Sequence, residues 1–250
     1  MKVLIAGAAG FFGSNLIRYF LYRSKDLEII GVDNIPNVEK ANLRLYHHKK
    51  HKFYVCDINS DEFNTIMELE KPDIVIDTII SQYENDGKNL NTKINLLKTN
   101  ALTLSLVSEA SLIKYSLSDM AKTLKNVYIL EVPICFGFRE NANKGIAKII
   151  YDAMNDILDG SFGIYSWLFI EELGRVLLRI INDKDFENRK IPGYEFSHME
   201  ITNFFFNHFY EADLKIKIKD ELEGEEISFK DSIKKTAEWY KANEWSKRIK

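Results

Sequence analysis

The chain has 250 residues, 46% of them apolar and 28% charged, a composition that can bury a full core and excludes general disorder. Its formal net charge of −3 gives no broad field for nucleic acid or anionic membranes, and no apolar run approaches the roughly 20 residues of a membrane span. Cys56 and Cys135 lie far apart with no C-x-x-C pattern, and the apolar opening runs into glycines after five residues, so a reducing cytoplasm and no export segment are expected.

Short β-branched runs alternate with helical patterns along the first half, which predicts βαβ units and a parallel sheet. Strands are predicted at 2–6, 27–32, 52–56, 73–77, 102–107 and 126–132, with helices near 12–23, 60–70, 89–100 and 115–125. "PDIVID" (72–77) is nearly all apolar, as a strand covered on both faces should be. From about residue 140 the pattern changes to longer helices, near 143–158, 168–182 and 199–210, then the alternating "LKIKIKD" and a last helix from about 229. The expected architecture is α/β, a doubly wound parallel sheet over 1–140 with a smaller, mostly helical lobe over 141–250 packed on it.

The stretch "KVLIAGAAGFFGSN" (2–15) spaces Gly7, Gly10 and Gly13 at three-residue steps between a strand and a helix. Gly7 suits a tight turn, Gly10 admits backbone to a pyrophosphate, and Gly13 lets the helix sit close to the sheet, with Phe11 and Phe12 in the first turn. The second strand, "LEIIGVDN", ends in Asp33 and Asn34, twenty residues after Gly13. An acid there accepts hydrogen bonds from an adenosine ribose and repels a 2′-phosphate, so NAD is expected over NADP.

This G-x-x-G-x-x-G spacing resembles the extended short-chain dehydrogenase/reductase family of NAD-dependent sugar-nucleotide epimerases and dehydratases, and the likeness continues in order along the chain. "CDI" resembles the family's segment beside the adenine, carried by Asp57 and Ile58. "KPDIVIDTIIS" is similar to P-D-x-V-[IF]-H-x-A-A, with Ile79, Ile80 and Ser81 at the cofactor-lining positions. "NLNTKINLL" resembles N-V-x-G-T-x-N-L-L, matching at Asn89, Asn95, Leu96 and Leu97. "LEVPICFGFR" resembles L-R-P-x-x-x-[YF]-G-P-R through Leu130, Pro133, Phe136, Gly137 and Arg139. "WLFIEELGRVLLRII" is similar to the F-V-Y-V-D-D-V-A helix, and "SIKKTAEWYKAN" to the closing helix. The resemblance implies a Rossmann-type dinucleotide-binding domain over 1–140 with a substrate-binding lobe over 141–250, NAD as cofactor, a nucleotide sugar as small-molecule substrate, carbohydrate biosynthesis as setting, and a homodimer through the helices at 89–100 and 115–125, where Ile94, Leu97 and Ala101 keep helical spacing. Neither nucleic acid nor membrane is an expected partner.

Departures from the family pattern bear on catalysis. The family's proton chemistry uses a Tyr and a Lys one helical turn later, with a Ser on the preceding strand. "KYSLSDMAK" places Tyr115 at the tyrosine and Asp119 at the lysine, with Lys122 two turns on. Ser108 and Ser111 fall at the family's serine cluster, yet only three residues separate Ser111 from Tyr115. Tyr165 and Ser166 replace an Arg-Asp pair that grips the nucleotide diphosphate in relatives, and Glu131 replaces an Arg. Two readings stay open: an epimerase, dehydratase or ketoreductase using Tyr115, Ser108 and Ser111, or a non-catalytic NAD-binding member with a regulatory or assembly role. "HHKKHK" (47–52) reads as a solvated charge run, without a metal role, and "NFFFNHFY" (203–210) as core or interface packing, or as a lid over the substrate cleft.

Overall fold

A computed structural model describes residues 1–34, 48–80, 90–109, 111, 113–140, 145–154, 163–210 and 228–243. In chain order the elements are β1 (Lys2–Ala6), α1 (Phe11–Arg23), β2 (Glu28–Asp33), β3 (His51–Val55), α2 (Asp61–Glu70), β4 (Ile74–Asp77), α3 (Leu90–Leu97), β5 (Leu102–Ser108), α4 (Ile113–Ala121) and β6 (Val127–Val132). They continue with β7 (Ile134–Phe136), α5 (Gly145–Met154), β8 (Ile164–Phe169), α6 (Ile170–Asp183), β9 (Arg189–Lys190), β10 (Tyr194–Ser197), α7 (His198–Tyr210) and α8 (Phe229–Ala242).

Two compact units result, Met1–Val132 with Gly174–Ile191, and Pro133–Leu173 with Pro192–Lys250. The first holds a seven-stranded sheet in the order β3-β2-β1-β4-β5-β6-β9, with every neighbouring pair parallel. Parallel strands joined by helical crossovers are covered on both faces, so β1 and β4 are apolar on both and their Val3, Leu4, Val75 and Ile76 are sealed from solvent. Leu4, Val32, Ile58, Phe63, Val75 and Leu96 share one core cluster, while Leu97, Val107, Leu117, Ala121, Val127 and Ile129 share another. The strand order reverses between β1 and β4. In open α/β sheets that reversal opens a crevice beyond the carboxyl ends of the strands.

At the other end of the same sheet, Glu70 closes α2 as a buried anion. Its Oε1 accepts from Lys52 Nζ at 2.8 Å and from Tyr54 Oη at 2.5 Å, and its Oε2 accepts from Lys52 at 3.0 Å and from Lys2 at 3.4 Å. Burial pushes the Glu70 carboxyl up, but the bonds from Lys52 and Tyr54 and the charge of Lys52 outweigh it and hold the group below its ordinary value of 4.5. The same bond to Glu70 raises the Lys52 ammonium and the Tyr54 phenol.

The second unit contains a three-stranded sheet, β10-β8-β7, in which β8 runs antiparallel to β10 and parallel to β7. The rings of Tyr194, Phe196 and Phe136 lie 4.7, 4.5 and 5.5 Å from that of Phe229. Tyr240 donates its hydroxyl hydrogen to the Gly137 carbonyl at 3.0 Å, closing α8 onto this core. α7 begins at a capping box: Glu200 Oε2 accepts from the Ser197 amide and hydroxyl, each at 2.7 Å, and the Glu200 amide donates to Ser197 Oγ at 3.2 Å.

The expected helix at 168–182 divides differently. Ile164–Phe169 is strand β8, and the helix starts at Ile170 with no intervening turn residue. The lobe expected to be mostly helical therefore carries a sheet, which the sequence reading did not anticipate. α3 ends at Leu97 rather than at 100, where Thr99 turns back to donate both its amide and its hydroxyl to the Leu96 carbonyl. "LKIKIKD", Ser81 and Asn89 lie outside the described residues. Among the described residues, no helix is long and apolar enough to cross a membrane.

The Glu70 cluster gives a pH test of the first unit. A carboxyl held low in the fold contributes stability that is complete above its unfolded pKa and lost as pH falls through its folded one. Glu70→Gln is expected to cost about 1–2 kcal/mol at neutral pH. The difference from the parent should shrink below pH 4.5, as read by urea denaturation across that range.

Candidate dinucleotide and catalytic site

The turn from β1 into α1 is held by backbone alone. The amides of Gly7 and Ala8 both donate to the Val32 carbonyl, at 2.9 and 3.1 Å, and the Gly10 amide donates to the Gly7 carbonyl at 3.0 Å. Gly7 adopts φ +79°, a left-handed conformation that favours glycine. A Cβ on Gly13 would lie 2.2 Å from the Gly7 oxygen and 2.6 Å from Ala8 Cα, so no side chain fits there. Gly10 differs: its φ of −73° suits any residue, and a Cβ would meet only the Gly7 oxygen, at 3.3 Å. As N-cap of α1 it offers no side chain to the helix's first amides, and those amides with the helix dipole favour an anion at this end.

Around the turn, Asp33 closes β2 as a buried acid whose Oδ2 accepts from the Ala9 amide at 2.9 Å. The Thr78 hydroxyl donates to the Ala6 carbonyl at 2.6 Å, and the Ile80 amide donates to the Thr78 carbonyl at 3.0 Å. Asp57 Oδ1 accepts from the Asn59 amide at 2.8 Å, while Ile58 turns into the core beside Phe63. Phe12 is buried and Phe11 meets its ring edge-on at 5.3 Å. Asn34 is exposed, and Pro133 opens the second unit.

The residues singled out for catalysis lie at the ends of β5 and β6. Ser108 ends β5 and its carbonyl accepts from the Ser111 amide at 2.9 Å, and the buried Ser111 Oγ has no hydrogen-bond partner among the described residues. Tyr115 stands in the first turn of α4 with 66% of its surface exposed. Asp119 and Lys122 pair at 2.8 Å on an outer face of this helix region, 74% and 71% exposed. A pair so exposed exerts little force.

A different cation stands beside the tyrosine. Lys114 Nζ is 5.3 Å from the Tyr115 ring centroid, held by the Glu109 carbonyl at 2.7 Å and Glu131 Oε2 at 3.2 Å. Lys190 in turn pairs with Glu109 at 2.5 Å. Glu131 thus anchors a lysine next to the candidate acid/base. Sequence reasoning passed over Lys114, Thr78 and Lys93. The signal for Lys93 was a lysine on the apolar stripe of its helix, three residues after Leu90 and four before Leu97.

Tyr165 and Ser166 lie on β8, with Tyr165 edge-on to Trp167 at 5.9 Å. Leu97, taken with Ile94 and Ala101 as a face for a second subunit, is buried in the chain's own core, and Ala101 packs against the neighbouring cluster. Among the described residues, no group of His, Cys, Asp or Glu could hold a metal ion.

Residues 3–119 match the model of the NAD dependent epimerase/dehydratase family. A curated relative, UDP-2-acetamido-2,6-beta-L-arabino-hexul-4-ose reductase from Pseudomonas aeruginosa, is 22% identical over 74% of this chain and 50% of its own length. The chain spans about half the length of the curated relatives it matches first.

Among solved structures, dTDP-glucose 4,6-dehydratase from Bacillus anthracis in complex with NAD superposes with a TM-score of 0.82 at 16% identity, over 100% of both chains. UDP-glucuronic acid 4-epimerase from Bacillus cereus in complex with NAD gives 0.76 at 17% identity, over 97% of this chain and 99% of its own. Such likenesses show the fold, a doubly wound α/β sheet.

The three glycines separate by role in a way that stability measurements can read. Gly13→Ala is expected to destabilise by roughly 3 kcal/mol, since its methyl meets fixed backbone. Gly10→Ala should cost about 1 kcal/mol or less, measured by the same urea titration.

Proposed function

We propose that this chain binds NAD in the crevice beyond β1 and β4 and acts on a nucleotide-linked sugar as a divergent epimerase, dehydratase or ketoreductase. The observation that carries this reading is the pairing of an unencumbered α1 N-terminus at Gly10 with an acid, Asp33, fixed at the end of β2. Gly10 and the first-turn amides would hold the pyrophosphate, and Asp33 would take the ribose hydroxyls. Asp57, Ile79 and Ile80 would border the dinucleotide. NAD, when bound, supplies a hydride acceptor.

Proton transfer would fall to Tyr115, with the Lys114 ammonium as the neighbouring cation in place of the missing turn-spaced lysine. Ser111 supports this reading because its buried hydroxyl has no hydrogen-bond partner among the described residues and would find one in a substrate oxygen. Ser108 lies three residues before it on the same strand end. The Bacillus cereus epimerase, solved also with UDP-glucuronic acid and NAD, lends the substrate class.

A non-catalytic, NAD-binding role is the second reading, favoured by Asp119. It stands where relatives carry the lysine, and it is engaged with Lys122 at an exposed surface.

Calorimetry with NAD and NADP tests the cofactor, and a panel of nucleotide sugars followed by nicotinamide absorbance and product mass tests the reaction. Gly10→Val should abolish NAD binding with the fold intact, and Asp33→Asn should narrow the preference for NAD over NADP. A parent protein that prefers NADP overturns the role given to Asp33. Tyr115→Phe should lower turnover by about 10²–10⁴-fold. Turnover unchanged in Tyr115→Phe removes Tyr115 from the mechanism, whereas NAD binding with no turnover of any sugar favours the second reading.

A further inference from the structure

Lys93 and Asp77 form an ion pair with no exposed surface on either side chain, 0% for both. Lys93 Nζ donates to Asp77 Oδ2 at 2.7 Å and to the Leu106 carbonyl at 3.0 Å, and Ser105 Oγ donates to the same Oδ2 at 2.6 Å. The second carboxylate oxygen, Oδ1, accepts from the Ile79 amide at 2.9 Å. Thr78, the residue before Ile79, holds the glycine turn: its Oγ1 donates to the Ala6 carbonyl at 2.6 Å and to the Gly7 carbonyl at 3.3 Å. A continuous path of short contacts therefore runs from the middle of α3, through Asp77, to the phosphate side of the crevice.

The residues flanking Lys93 on α3 reach a different loop. Asn59 Nδ2 donates to Thr92 Oγ1 at 3.0 Å, and Asn95 Nδ2 donates to Asn59 Oδ1 at 2.8 Å. Asn59 also donates, through its amide and Nδ2, to Asp57 Oδ1 at 2.8 and 3.0 Å. Three residues within a single turn of helix thus hold the loop after β4 and the loop after β3.

A buried ion pair adds little net stability over an apolar pair of the same size, because desolvation offsets the attraction. What it adds is direction. The fixed carboxylate sets the Ile79 amide, and an apolar residue at 77 would not.

We propose that α3 braces both walls of the dinucleotide crevice and that Lys93 is the positioning residue that ties it to the glycine turn. This rests on the NAD reading above. Binding of NAD and ordering of α3 must then be coupled reciprocally, since each favours the same arrangement of the two loops.

Hydrogen exchange of the peptide covering residues 90–98, read by mass spectrometry with and without NAD, tests the coupling in the unmodified protein. Slower exchange of that peptide with NAD bound is the expected result. NAD binding in calorimetry with unchanged exchange overturns the brace while leaving the cofactor reading intact, whereas no NAD binding at all overturns the cofactor reading and the brace with it. Lys93→Met should raise the NAD dissociation constant at least tenfold with an unchanged circular dichroism spectrum, and should abolish the NAD-dependent protection. Should Lys93→Met not fold, Ser105→Ala, which removes one bond from the same carboxylate oxygen, is expected to weaken NAD about threefold. Parental affinity in whichever of the two variants folds overturns the role of the pair.

Discussion

The first unit is organised around a place where no side chain fits. α1 descends so close to the β1 turn that Gly13 rests on the carbonyl of Gly7 and the Cα of Ala8. That approach fixes the N-terminus of the helix over the carboxyl ends of the central strands. Every other group at the crevice is then placed relative to it: Asp33 by its bond to the Ala9 amide, and Thr78 by its bond to the Ala6 carbonyl. Because the turn is held through backbone, the surfaces left for a ligand are amides and a dipole rather than flexible side chains.

Charge follows a separate logic at each end of the sheet. At the starts of the strands, Glu70 gathers Lys2, Lys52 and Tyr54 into a cluster that serves the fold. At their ends, Glu109, Lys114, Glu131 and Lys190 alternate in sign across β5, β6 and β9 and leave Lys114 against the Tyr115 ring. Glu131 and Asp119 are not equivalent. Glu131 recruits a cation towards the tyrosine, whereas Asp119 spends its charge at the surface with Lys122.

The central strands and the glycine turn were legible because their physics is local. A strand covered on both faces must be apolar throughout, and "VLIA" and "IVI" are; a helix pressed on its own turn must have glycine, and Gly13 is at the right spacing. β8 escaped notice because "IYSWLF" runs into α6 without a turn residue, so one apolar stretch serves two periodicities. β9, with two residues, is too short for any pattern. Leu97 shows a further limit. An apolar stripe on α3 announces burial, but only the fold decides whether the chain itself or a second copy supplies the cover. Asp77 and Lys93 sat in plain view as charges in apolar settings, sixteen residues apart, and only the adjacency of β4 and α3 makes them partners.

The sealed pair of Asp77 and Lys93 also constrains how this chain can have changed over time. Replacing either residue alone strands an uncompensated charge in the interior, at a cost of about 3–5 kcal/mol, a large part of the stability of a domain this size. Single steps through that state are selected against, so the two residues behave as one heritable character. Lineages descended from this chain are expected to keep both residues or to have exchanged both.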